Sequence, residues 1–156
     1  KEIEKIVSLI GSDVILGLEQ KSCIMTSKNK IKRYKNVKKF YTLIVKPDFG
    51  CSTKEIYSQV KKFNKPILNS PSRRMFGQNF LIKMINSLEP IALLRYPKLK
   101  TLKLFLDKFS DSIVVRMTGS GSALVAYFQS KKGCDKAKKL LNKKYKKYWC
   151  IVSKTI

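Results

Sequence analysis

The chain has 156 residues, the size of one ordinary domain, and 44% of them are hydrophobic, enough to bury a core and to exclude a disordered polyelectrolyte. No apolar run approaches the roughly 18 residues that span a bilayer and no signal peptide opens the sequence, so a membrane or secreted protein is not expected and the cytoplasm is. Histidine is absent, and Cys23, Cys51, Cys134 and Cys150 are widely spaced without a C-x-x-C pair, which excludes a zinc site and predicts reduced, structural thiols.

Lys1 to Ile10 reads as the later turns of a helix, with Ile3, Ile6, Val7 and Ile10 on one side and Gly11 as the stop; a start at Lys1 rather than Met suggests a C-terminal piece. "SDVILGLEQKSCIM" predicts one or two short strands, and a lysine-dense turn from Ser27 to Lys39 leads into the strand "FYTLIVKP", closed by Pro47. "CSTKEIYSQVKKF" carries a helix start: Ser52 or Thr53 can cap, Glu55 stands three after Ser52, and Ile56, Val60 and Phe63 form a stripe. Turn formers from Asn64 to Arg74 predict a loop, after which Phe76, Phe80, Met84 and Leu88 predict a helix until Pro90 kinks it or opens the next segment. Pro97 starts a further helix with Leu99, Leu102, Phe105, Leu106 and Phe109; a strand from Ile113, a glycine loop, a strand from Ala123, a helix from Cys134 and the strand "YWCIVSKTI" complete the chain. This order predicts an α+β, ferredoxin-like sandwich, with helices on one face of an antiparallel four-stranded sheet.

The formal charge of +24 raises nucleic acid as a partner. Only five of the 34 basic residues are arginine, however, and in "GCDKAKKLLNKKYKKY" Lys136, Lys139, Lys143 and Lys146 lie opposite the apolar side of a helix, so the charge is read as a solvated face rather than a nucleic-acid surface.

The loop in "VVRMTGSGSALVAYF" bears backbone that can approach a phosphate, yet it fits neither a Rossmann fingerprint nor a Walker loop, and alone it reads as a hairpin turn. Several segments in one order resemble the C-terminal half of the GHMP small-molecule kinases. Gly11, Ser12, Asp13 and Val14 stand where that family has G-A-D-V; Val45, Lys46 and Pro47, then Ser52, Thr53, Ile56 and Tyr57, match the strand and S-T-x-x-[IV]-[FY]. Asn86, Leu88, Glu89, Pro90, Ala92, Tyr96 and Pro97 match N-D-L-E-P-x-A…Y-P, and Arg116, Met117, Thr118, Gly119, Ser120, Gly121 and Ser122 match its third motif. Ile15, Leu16 and Ser87 depart from the pattern, as does "TSKNKI" in place of a G-x-G-E hairpin.

The resemblance implies an ATP-dependent kinase, using ATP and Mg2+, that phosphorylates a hydroxyl of a diphosphocytidyl sugar alcohol in the non-mevalonate isoprenoid route. It implies that residues 1–38 end an N-terminal domain, that 39–156 form the C-terminal domain, and that a catalytic lysine and ATP-gripping loop belong to a missing N-terminal half, without which the fragment is inactive. Asp13 is the implied base, Thr118, Gly119, Ser120, Gly121 and Ser122 shape the phosphate or substrate site, and Thr53 and Arg116 are secondary candidates for it. No metal ligand is assigned; the oligomeric state stays open, a homodimer being one arrangement. Two alternatives remain at this point: another GHMP kinase acting on homoserine, mevalonate or a sugar, and a basic RNA-binding α+β module, against which adjacent Tyr127 and Phe128 must point to opposite sheet faces.

Overall fold

A computed structural model describes residues 2–11, 14–28, 30–62 and 65–156. They form two compact units, one of Lys1–Lys38 with Lys65–Gly77 and Ile156, the other of Lys39–Asn64 with Gln78–Thr155.

In the first unit, helix α1 (Glu2–Ile10) buries Val7 and ends where the Gly11 N–H bonds the Val7 carbonyl. A 3-10 turn over Val14–Leu18 takes the place of the first expected strand, and the hairpin is built from β1 (Ser22–Met25) and β2 (Ile31–Tyr34), the latter inside the expected lysine-dense turn. The Arg33 guanidinium explains the difference: it donates to the Ile15, Leu16 and Glu19 carbonyls and pairs with the Glu19 carboxylate at 3.1 Å, wrapping a tight turn onto β2.

The second unit holds a four-stranded antiparallel sheet of β3 (Tyr41–Lys46), β4 (Ser112–Met117), β5 (Leu124–Phe128) and β6 (Trp149–Lys154), in the order β4-β5-β3-β6. That order, with the first and third strands of the unit in the centre, is the expected ferredoxin-like one. Register sets one buried face: Leu43 stands opposite Ala126 and Val45 opposite Leu124, while Ala126 faces Val115 and Leu124 faces Met117, all of them core residues. Phe128 is fully buried on that face, and Tyr127 points to the other.

Onto the core pack α2 (Thr53–Ser58) through Ile56, α4 (Glu89–Arg95) through Ala92, α5 (Pro97–Asp107) through Leu99, Leu102 and Leu106, and α6 (Lys131–Lys144) through Cys134, Ala137 and Leu141. Ser52 caps α2, its Oγ accepting the Glu55 N–H, and the helix stops before Val60, so the expected stripe is shorter; Phe63 lies outside the described residues. The helix expected from Phe76 is broken: a 3-10 turn over Arg73–Phe76 precedes α3 (Gln78–Lys83), and Pro90 opens α4 rather than kinking α3. Pro90 lacks an N–H, and in the first turn of α4 that loss costs no helical bond. Helix α6 begins at Lys131, three residues before the expected Cys134, because the Ser130 Oγ accepts the Gly133 N–H.

Candidate active site

Strands β4 and β5 meet at residues 118–123, and the loop there closes on its own backbone. The Thr118 N–H donates to the Ala123 carbonyl at 2.9 Å, and the Gly121 N–H to the Thr118 carbonyl at 2.9 Å. Two glycines make this path available: Gly119 has φ +50° and Gly121 φ +92°, a region that side chains disfavour. A Cβ on Gly121 would also lie 2.9 Å from the Met117 Sδ and 3.1 Å from the Cys51 Sγ.

The start of α4 grips the loop from one side. The Asn86 Nδ2 donates to the Met117 carbonyl at 2.9 Å and the Gly119 carbonyl at 2.8 Å, while its Oδ1 accepts the Leu88 N–H at 3.0 Å. Three residues on, a Glu89 carboxylate oxygen accepts the Met117 N–H at 2.6 Å, and the Lys103 ammonium lies 3.7 Å from its other oxygen while also donating to the Val115 carbonyl. Two motifs that lie apart in the chain, "NSLEP" and "RMTGSGS", are therefore bonded to each other through a side chain at each end of the first.

From the other side comes the segment after β3. The Lys46 ammonium donates to the Pro47 and Phe49 carbonyls and to the Ser122 Oγ, and Ser122, only 1% exposed, donates its own hydroxyl to the Phe49 carbonyl. Further along, the Thr53 and Ser120 hydroxyls bond at 2.8 Å, and the Tyr96 hydroxyl accepts the Ser52 N–H at 2.9 Å. The Cys51 thiol sits among these groups with its pKa pushed up by burial, an effect that the Lys46 charge partly opposes.

Of the residues expected from sequence, Thr53, Thr118, Gly119, Ser120, Gly121 and Ser122 come together here. The Arg116 guanidinium donates to the Leu81 and Ile82 carbonyls near the end of α3. Asp13 lies outside the described residues. Sequence reasoning assigned no role to Asn86, Glu89 or Lys46, although all three stand in matched segments; a polar residue at a loop's edge signals a bond without saying to which partner. Among the described residues no three His, Cys, Asp or Glu side chains cluster to hold a metal ion, and no helix is long and apolar enough to cross a membrane. All four cysteines are free.

A glycine hairpin fixed from two sides therefore stands at the end of a ferredoxin-like α+β sheet. The chain is homologous to 4-diphosphocytidyl-2-C-methyl-D-erythritol kinases. It is 48% identical over 153 residues to the one from Pelagibacter ubique (strain HTCC1062), covering 98% of this chain and 54% of that relative. It is 32% identical over 165 residues to the one from Clostridium tetani (strain Massachusetts / E88), covering 100% of this chain and 57% of the relative. A crystal structure of 4-(cytidine 5'-diphospho)-2C-methyl-D-erythritol kinase superposes with a TM-score of 0.74 at 19% identity over 93% of this chain and 54% of that one, a likeness of fold. The chain thus spans about half the length of the curated relatives it matches. No family model matches it.

Proposed function

We propose that this chain supplies one part of an ATP-dependent kinase that phosphorylates a hydroxyl of 4-diphosphocytidyl-2-C-methyl-D-erythritol, in the cytoplasm. The observation that carries the reading is the 48% identity maintained across nearly the whole chain to a kinase of that name. In this reading residues 1–38 close the first domain of the enzyme and 39–156 form its second, and the portion of the relatives that this chain does not match brings the lysine and the loop that hold ATP.

Asp13 takes the hydroxyl proton as the acceptor oxygen attacks the γ-phosphorus; the new P–O bond forms as the bond to the ADP oxygen breaks, and ADP leaves with the electron pair. Residues 118–122 and Thr53 hold the polar edge of the site, and Arg116 acts by fixing the end of α3 beside β4. Mg2+, when bound, would neutralise phosphate charge; it keeps several waters and leans on substrate phosphates, so it needs few protein carboxylates.

The reading is tested in a chimera in which this chain replaces the matching segment of the Pelagibacter ubique kinase. ATP-dependent phosphorylation of the diphosphocytidyl alcohol is expected, and Asp13→Asn should lower kcat about 10²-fold with little change in ATP binding. A folded chimera that transfers no phosphate rejects the kinase reading, and full turnover in Asp13→Asn rejects the base.

A further inference from the structure

We propose that Asn86 is a positioning residue whose carboxamide aims the Ser120 N–H into the open side of the glycine loop. The proposal rests on the kinase reading for its consequence and on geometry for its substance. A trans peptide carries its C=O and N–H on opposite edges, so fixing one fixes the other. Asn86 holds the Gly119 carbonyl at 2.8 Å, and the Ser120 N–H of the same peptide is thereby turned away from the carboxamide. Among the described residues that N–H donates to no protein acceptor, while the Ser120 hydroxyl beside it is tied to Thr53.

Residues 118–121 form a turn with positive φ at Gly119, none at Ser120 and a Gly121 N–H to Thr118 carbonyl bond, the sign pattern of type II′. Flipping the single Gly119–Ser120 peptide by about 180° converts such a turn into type I′ with its ends unmoved and places Ser120 at positive φ, which a residue with a Cβ disfavours without forbidding. The closing bond is common to both forms and selects neither. The Asn86 bond to the Gly119 carbonyl adds to the preference of Ser120 and fixes the observed form, and its second bond, to the Met117 carbonyl, prevents the carboxamide from swinging aside. The result is a backbone donor set in place before charge arrives, the arrangement that stabilises developing negative charge most effectively.

A purely structural alternative is that Asn86 only tethers the start of α4 through the Leu88 N–H. Asn86→Ser separates the two. Its hydroxyl keeps an acceptor near that N–H and adds no charge, yet is too short to reach the two loop carbonyls; Asn86→Asp keeps size and acceptor but loses both donors. In the chimera both variants should lower kcat about tenfold or more, with a smaller change in KM and with circular dichroism retained. Turnover within about twofold of wild type in the two folded variants overturns the proposal.

Should either variant fail to fold, the isotopically labelled wild-type chain decides by NMR: scalar coupling across the hydrogen bond from the Asn86 side-chain nitrogen to the Gly119 carbonyl carbon is expected, and its absence overturns the proposal. An inactive wild-type chimera that shows this coupling rejects the kinase reading and removes the catalytic consequence, while leaving the peptide orientation established.

Discussion

At Gly121 two independent constraints meet, a left-handed φ of +92° and two sulfur atoms within 3.1 Å of where a Cβ would stand. Gly121→Ala should therefore destabilise the chain by about 1–3 kcal/mol, read from the urea midpoint at unchanged slope. A neutral result would mean that the loop relaxes without cost. Cys134 offers a second check at this scale. Fully buried under α6, its thiol is pushed up to about 11, first by burial and then by the Asp135 charge. The raised value means that the folded chain keeps the proton at a pH where the unfolded chain releases it, so this group's contribution to stability is intact below pH 9 and is lost as pH rises towards 11. At pH 8 about one Cys134 in a thousand is thiolate, and alkylation at that pH should wait for denaturant. Rapid labelling of Cys134 in the folded chain contradicts the packing described for α6.

The elements show where local chemistry was enough and where it was not. Pro97 and Ser52 announced their helices correctly, because a proline at a first turn and a serine three residues before Glu55 act through bonds inside the segment itself. Helix α6 began earlier than its apolar residues suggested, because its start is set by the Ser130 cap and not by the first buried side chain. Removing that cap in Ser130→Ala should cost about 1 kcal/mol, measured as a lowered denaturation midpoint. Strand β2 was hidden for another reason. Its "IKRY" has no alternation to speak of, and what makes it a strand is its pairing with β1 and the reach of Arg33 to the Ile15, Leu16 and Glu19 carbonyls, none of which a window of sequence contains. The same limit applies to the candidate site. Glycines and hydroxyls of the loop were legible because their composition is unusual, whereas Asn86, Glu89 and Lys46 acquire their meaning from loop partners 28 to 76 positions away.

For the whole molecule the dominant quantity is charge. A formal +24 spread over 156 residues repels itself, and few carboxylates are available to offset it. On α6 the Lys131 ammonium pairs with Asp135 at 2.7 Å, and Lys144 lies over the Phe105 ring at 4.8 Å. Salt should therefore stabilise the chain: Tm is expected to rise as ionic strength goes from about 20 to 200 mM, as the screening length contracts to below about 10 Å. A Tm that falls over that range would mean that specific ion pairs outweigh the general repulsion.

We propose that this sheet, with its clasped glycine hairpin, is a working part of a kinase for a diphosphocytidyl alcohol. The most direct measurement follows the reaction of the chimera by 31P NMR, with ATP, Mg2+ and 4-diphosphocytidyl-2-C-methyl-D-erythritol. The account predicts a new phosphomonoester resonance growing in step with ADP, the diphosphate signals of the acceptor remaining in place. ADP formed without that resonance, or a folded chimera that leaves ATP and the alcohol unchanged, would contradict it.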